Sequence, residues 1–115
     1  MRFMLMFKGE PPRPGDVACK QNLPAMKQLM TDLKSKGVVT FTEGLEGPDK
    51  GARVRYANGK HTVIDGPFAE AKELIAGVCV VEVNSRQEAM DLTRQFLEIA
   101  GGGEGEIRQI MEVHE

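Results

Sequence analysis

The chain has no tryptophan, one tyrosine and only two cysteines. So few cysteines argue against a disulfide-stapled fold and against a cysteine-ligated zinc site. Cys19 is predicted to lie in a Pro/Gly-rich loop and Cys79 in an apolar strand, so a disulfide is not expected, and zinc-ligand spacing is absent from the sequence. We expect structural thiols, because a buried cysteine behaves as a small hydrophobic residue. No metal or cofactor is expected, since the glycine-rich stretch "GGGEG" lacks the Lys and Ser or Thr of a phosphate-binding loop.

Long apolar runs and a strong charge of one sign are also missing. The longest apolar run, Leu74 to Val81, is too short to cross a bilayer. The N-terminal segment "MRFMLMFKGE" has too few apolar residues after its positive charge for a secretory signal. The net charge is −2, with Lys and Arg scattered along the chain, which excludes the basic stripe of a nucleic-acid-binding protein. With 115 residues, the sequence predicts one cytoplasmic domain over residues 1–115 with no membrane partner.

The periodicity of apolar residues predicts an alternating order of strands and helices. Arg2 to Lys8 is predicted as a strand, and a helix capped by Asn22, with Pro24 in its first turn, is predicted to end near Gly37. "VVTFTEGL" reads as a strand, and "ARVRYANGKHTVI" as a β-hairpin turning at Asn58-Gly59. The run "LIAGVCVVEV" is typical of a central strand.

A second helix and a last strand complete the pattern. Ser85 and Glu88 form a capping box, and the buried helical stripe is predicted from the residues Ala89, Leu92, Phe96 and Ile99 or Ala100. "GEIRQIMEV" is predicted as the final strand, and Met4, Met6, Met26 and Met30 as adaptable core filler. The predicted fold class is α+β, a ferredoxin-like βαββαβ arrangement with an inserted hairpin. Its uncovered sheet face predicts a homodimer with sheets facing each other.

Several segments also resemble a known family. "DGPFAEAKELIAG" (65–77), "EGL" (43–45), "GARVRY" (51–56) and "GEIRQI" (105–110) closely resemble the YCII-related family, in its DGPF branch. The resemblance implies a ferredoxin-like fold that dimerises into an α/β barrel, with a cleft beside the DGPF loop. It also implies either an accessory protein encoded beside an extracytoplasmic-function sigma factor or a lyase-like enzyme that removes halide from a hydroxylated aromatic ring.

The enzymes of the wider group are thought to use a His-Asp pair, of which this sequence matches Asp65 but has no His in its first strand. Asp65 is the first catalytic candidate, as a general base at a strand end. The alternative is an Asx-turn in which its oxygens accept backbone N–H groups before Gly66 and Pro67. His61, four residues earlier on the same strand face, is the second candidate. At about 13 Å it needs a chain bend or a partner subunit to reach Asp65, and the alternative is an exposed hairpin His.

The remaining candidates are predicted to bind a small ligand at the same cleft. They are Glu43, Phe68, Glu70, Lys72 and Glu73. Lys72 lies between two carboxylates, which fits a salt-bridged surface or dimer rim equally well. The alternative for Glu43 is a strand-edge charge that discourages sheet-to-sheet aggregation. Arg53 and Arg55 share one hairpin face, and Arg108 lies in the last strand. Each arginine is either a carboxylate anchor or a solvated side chain.

Two function classes follow. The first is a dimeric, non-catalytic binding or accessory module, which the absent first-strand His favours. The second is a lyase- or isomerase-type enzyme with Asp65 as general base and Lys72, Glu70 or His61 assisting.

Overall fold

The structure, a computed structural model, describes residues 1–9, 17–66 and 75–113, the side chains of 17–23 and 48 excepted. These residues form six strands and two α-helices, with a short 3-10 turn at Pro48–Lys50. In chain order the elements are β1 (Arg2–Lys8), α1 (Val17–Ser35), β2 (Val39–Gly44), β3 (Ala52–Ala57), β4 (Lys60–Asp65), β5 (Ile75–Glu82), α2 (Arg86–Ala100) and β6 (Glu104–Gln109).

Four strands form one antiparallel sheet in the order β2-β5-β1-β6. If the hairpin strands are left out, β1, β2, β5 and β6 are the first to fourth strands in the chain. Their order across the sheet is then second, third, first, fourth. This is the ferredoxin-like arrangement, so the predicted fold class is confirmed. Both helices pack on one face of the sheet, and the core lies between the helix layer and the sheet.

The inserted hairpin forms a separate two-stranded sheet, β3 with β4, here called the arm (Ala52–Asp65). Its turn is the predicted Asn58-Gly59, with φ of 52° and 75°. Positive φ at both central residues is the requirement of a type I′ turn, which asparagine and glycine tolerate best. The predicted hairpin is therefore confirmed.

The first helix begins earlier than its sequence signals predicted. It starts at Val17 and carries Pro24 in its interior, so neither Asn22 nor Pro24 marks its beginning. Ala18 and Lys20 are strong helix formers, and the helix extends through the proline although one backbone hydrogen bond is lost there. Cys19 consequently lies in this helix and not in a loop.

The end of α1 and the start of α2 agree with the predicted punctuation. Gly37 has a φ of 74° and donates its N–H to the Lys34 carbonyl at 3.1 Å. The Ser85 hydroxyl accepts the Glu88 N–H at 3.1 Å and caps α2. Gly101, with a φ of 91°, ends α2 in the left-handed conformation that favours glycine.

The buried stripe of α2 contains one residue that periodicity alone does not reveal. Ala89, Leu92 and Phe96 are buried as predicted, whereas Ile99 is half-buried and Ala100 exposed. Thr93 is buried as well, and its hydroxyl donates to the Ala89 carbonyl at 2.8 Å. That bond satisfies the hydroxyl inside the helix, so a polar residue fits the core.

The shape of the molecule is flat and extended. Its radius of gyration is 16.2 Å, against about 13 Å for a compact chain of this length, and its shortest dimension is 20 Å. That thickness equals one sheet layer and one helix layer, each about 10 Å. No described element covers the second face of the sheet.

Candidate functional site

The sheet face opposite the helices, here called the open face, has an apolar centre. In one row across the strands, Phe41, Val80 and Met4 lie side by side, and in the next row Val78 and Met6 do. Cross-strand partners project to the same side, and their neighbours along the strands, Leu5 and Cys79, are buried under the helices. The five open-face side chains are half-buried or exposed.

Two of these residues correct a sequence prediction. Met4 and Met6 were expected in the core with Met26 and Met30. Met26 and Met30 do pack against the core, whereas the two β1 methionines lie on the open face. The strand "RFMLMFK" is apolar in both phases, so alternation alone does not tell which phase the helices cover.

Charged residues line the β6 side of the open face. The Lys8 ammonium lies 3.2 Å from the Glu106 carboxylate and 3.8 Å from that of Glu104. Arg108, opposite Met4, lies 3.6 Å from Glu106. The hydrogen bond and charge of Lys8, followed by those of Arg108, lower the pKa of Glu106. Lys8, Glu104, Glu106 and Arg108 thus form a charged rim along this side of the open face.

Asp65 is the last residue of β4, at the base of the arm and opposite Ala52. The Gly66 N–H donates to the Gly51 carbonyl at 3.0 Å and closes the arm just beyond it. The Asp65 side chain is exposed, and within residues 1–9, 17–66 and 75–113 its carboxylate has no hydrogen bond and no ion pair. In that part of the chain, backbone N–H groups do not occupy the oxygens as an Asx-turn requires.

His61 lies on the same strand face as Asp65 and stacks against Tyr56. The two rings are 4.8 Å apart between centroids and tilted by 48°. The β3–β4 ladder is regular from Lys60 to Asp65, so β4 has no bend that shortens the separation of about 13 Å. Within one chain the structure does not bring His61 and Asp65 together.

The other predicted residues are spread over two sheets or lie beyond the described chain. Glu43 is in the edge strand β2, opposite Val78, and points to the open face with an exposed carboxylate. Arg53 and Arg55 share a face of the arm, as predicted. The predicted ligand residues Phe68, Glu70, Lys72 and Glu73 lie outside the described residues, as does His114.

Phe41 and Tyr56 are aromatic residues near these candidates that sequence reasoning did not select. Phe41 stands at the edge of the open face, and Tyr56 covers His61. The sequence has one tyrosine and no tryptophan, so an aromatic residue in a strand is rare in this chain. That rarity was the sequence signal that could have marked Phe41 and Tyr56 as site candidates.

Cys79 is a free, buried thiol in the centre of the sheet, as the sequence predicted. Burial raises its pKa to about 11, against smaller lowering effects of a hydrogen bond to Thr42 and the charge of Lys34. A thiol of that pKa is protonated at neutral pH, so Cys79 is not a thiolate nucleophile.

The described part of the chain holds neither a metal-binding cluster nor a membrane-spanning helix. In its three ranges, no group of three or more His, Cys, Asp or Glu side chains is arranged to hold a metal ion. Neither described helix is long and apolar enough to cross a bilayer.

The strand order and the helices on one face define a ferredoxin-like α+β protein with an open sheet face and an inserted arm. The sequence profile of the YCII-related domain matches residues 1–114. The chain belongs to the YCII-related family.

Two individual proteins are also similar. A stretch of 45 residues is 42% identical to an uncharacterized protein of Rhizobium meliloti (strain 1021), covering 39% of this chain and 36% of that protein's length. Among solved structures, the chain is similar to 5-chloro-2-hydroxyhydroquinone dehydrochlorinase (TftG) from Burkholderia phenoliruptrix AC1100, in complex with 2,5-dihydroxybenzoquinone. The TM-score is 0.48 at 15% identity, over 98% of this chain and 96% of that one.

Proposed function

We propose that this protein is a homodimeric module that binds a small organic ligand between two sheets that face each other. The observation that carries the proposal is the open face, where Phe41, Val80, Met4, Val78 and Met6 form an apolar centre that no described element covers. A contiguous apolar surface of this kind marks an interaction site. A second copy supplies a matching surface through a two-fold axis.

The rim of this face supports a ligand with both apolar and polar groups. Glu43 offers an exposed carboxylate on the open face, and Asp65 offers another at the base of the arm, whereas the centre of the open face offers only hydrocarbon and thioether contacts. A hydroxylated aromatic ring fits both the apolar centre and the carboxylates, because the ring face is apolar and its hydroxyl groups donate hydrogen bonds to carboxylate oxygens. The predicted loop residues Phe68, Glu70, Lys72 and Glu73 belong to the same proposed cleft.

The dimer is tested by sedimentation velocity. We expect the wild-type chain to sediment as a dimer and Val80→Glu to sediment as a monomer, because the change places a charge between Phe41 and Met4. Phe41→Glu, on the edge strand, is a second variant of the same face. Gln109→Glu is the matched control, since Gln109 pairs with Phe3 and shares the helix-side face. A wild-type monomer refutes the proposed assembly.

Ligand binding is tested by thermal shift with catechol and hydroquinone as probes. We expect them to raise the melting temperature of the wild type, and Asp65→Asn to weaken this shift by removing a charged acceptor. Asp49→Asn, an exposed aspartate on the 3-10 turn, is the control for charge. An equal shift in the wild type and Asp65→Asn contradicts the role given to Asp65.

The second candidate function is a lyase- or isomerase-type enzyme with Asp65 as general base. It is favoured by one observation, the Asp65 carboxylate that has no hydrogen bond or ion pair within the described residues. A general base needs a free oxygen that reaches the substrate proton. We expect chloride release from a chlorinated hydroquinone by the wild type and none by Asp65→Asn. Absence of release by the wild type contradicts this reaction.

A further inference from the structure

The arm is exposed along both strands and on both of its faces. An isolated two-stranded hairpin is at best marginally stable in water, because neither face buries apolar surface. Here Val54, Tyr56 and Val63 are 68%, 66% and 60% exposed. We propose that the arm of each subunit packs against a second copy of this chain. This inference rests on the proposed homodimer and adds the element that reaches across it.

The register of the arm shows which face is suited to packing. Val54 stands opposite Val63, and Tyr56 opposite His61, so these four side chains share one face. We call it the apolar arm face. The other face carries Arg53, Arg55, Lys60, Thr62 and Ile64. The division into an apolar and a basic face is that of a strand pair covered on one side.

The charge of the arm favours a second copy as its occupant. Its 14 residues include three cations, Arg53, Arg55 and Lys60, and one carboxylate, Asp65, for a net charge of +2. Since the whole chain carries −2, the remaining residues carry −4. A basic arm is therefore attracted to the acidic body of another copy, and two copies make this contact twice.

The area available on the sheet supports the same conclusion. Four strands of about seven residues give the open face a flat footprint of about 450 Å². A stable interface buries about 800 Å² per partner. One face of the arm adds about 200 Å² to each side. The arm therefore increases the proposed contact area by almost half.

Arm docking deepens the proposed site. The unbroken strand β4 keeps His61 away from Asp65 in its own chain, but a docked arm carries Tyr56 and His61 to the other subunit. The cleft then has walls from both copies. Tyr56 adds an aromatic surface to that of Phe41, which among the described residues is the aromatic side chain of the open face.

Hydrogen exchange of the arm amides, measured at protein concentrations above and below the dimer dissociation constant, tests the inference. We expect slower exchange in the dimer than in the monomer, because docking stabilises the hairpin. Val54→Glu on the apolar arm face should weaken the dimer about tenfold or more. Thr62→Glu makes the same change of charge on the opposite face, so it separates apolar contact from electrostatics and should leave the dissociation constant within a few-fold.

The outcomes separate this inference from the proposed homodimer. If the dimer forms but arm exchange is the same at both concentrations and Val54→Glu has no effect, the arm does not dock and the homodimer stands. If the arm is equally protected in the monomeric Val80→Glu variant, its own chain covers it and the inference is wrong. A chain that is monomeric at every concentration refutes both.

Discussion

Gly105 in β6 lies against Thr93 of α2, and its replacement by alanine tests how α2 packs on the sheet. A Cβ atom at Gly105 would lie 2.6 Å from Cγ2 of Thr93 and 3.7 Å from the Phe7 ring. Carbon atoms attract best at about 3.5–4.0 Å, so the Phe7 contact is normal and the Thr93 contact is a clash. Phe7 also holds Phe96 in an edge-to-face contact, with centroids 5.7 Å apart.

Thr93 does not relieve the clash by rotating freely. Its hydroxyl donates to the Ala89 carbonyl at 2.8 Å, and a rotation that moves Cγ2 breaks this bond in a buried position. Overpacking costs about 1–3 kcal/mol, and the smaller conformational freedom of alanine in the unfolded chain returns about 0.4–1 kcal/mol. We expect Gly105→Ala to lower the free energy of unfolding by about 1–2 kcal/mol.

Urea unfolding at one fixed protein concentration measures this loss. Gly44→Ala is the matched control, because Gly44 also lies in a strand and a Cβ there has no atom within 4 Å. Thr93→Ser keeps the hydroxyl and removes Cγ2, so Gly105→Ala should cost little in that background. The reasoning is refuted if Gly105→Ala is as stable as the wild type, or if its cost is the same in the Thr93→Ser background as in the wild-type chain.

Two further predictions concern the cap and the buried thiol. Ser85→Ala removes the hydroxyl that accepts the Glu88 N–H and should cost about 1 kcal/mol in urea unfolding, whereas Ser85→Asp should retain most of the stability. Burial raises the pKa of Cys79 from 9.0 to about 11, so the unfolded chain loses this proton first as the pH rises. Stability is then independent of this group below pH 9 and falls between pH 9 and about 11, by about 1.4 kcal/mol per pH unit. Cys79→Val should remove that part of the pH dependence, and an unchanged slope would contradict the assignment.

The sequence predicted the fold well where one local signal dominates. Asn58-Gly59 requires positive φ at both residues, and Ser85 with Glu88 satisfies the first turn of α2, so the turn and the helix start follow from chemistry within four residues. The start of α1 was not predictable in this way. There the proline signal at Pro24 competes with helix-forming residues before it, and packing decides between them.

The relation of His61 to Asp65 was predictable both in strand face and in separation, whereas the sheet face that the helices cover was not. Period two places His61 and Asp65 on one face, and the regular ladder confirms it. Which sheet face the helices cover depends on contacts far apart in the chain, so the positions of Met4 and Met6 were beyond local patterns. The base of the arm closes through the Gly66 to Gly51 hydrogen bond, a contact between residues 15 positions apart that local patterns do not reveal.

In the proposed homodimer, the distribution of apolar residues links folding to association. All ten buried apolar residues of the described chain lie between the sheet and the helices, so in the proposed homodimer the second copy adds burial of the open face and of the apolar arm face. For a dimer that unfolds to two free chains, each tenfold dilution lowers the free energy of unfolding by about 1.4 kcal/mol. The melting temperature of the wild type should therefore fall on dilution. Val80→Glu should melt lower and without that dependence, because its remaining stability comes from the helix-covered core alone.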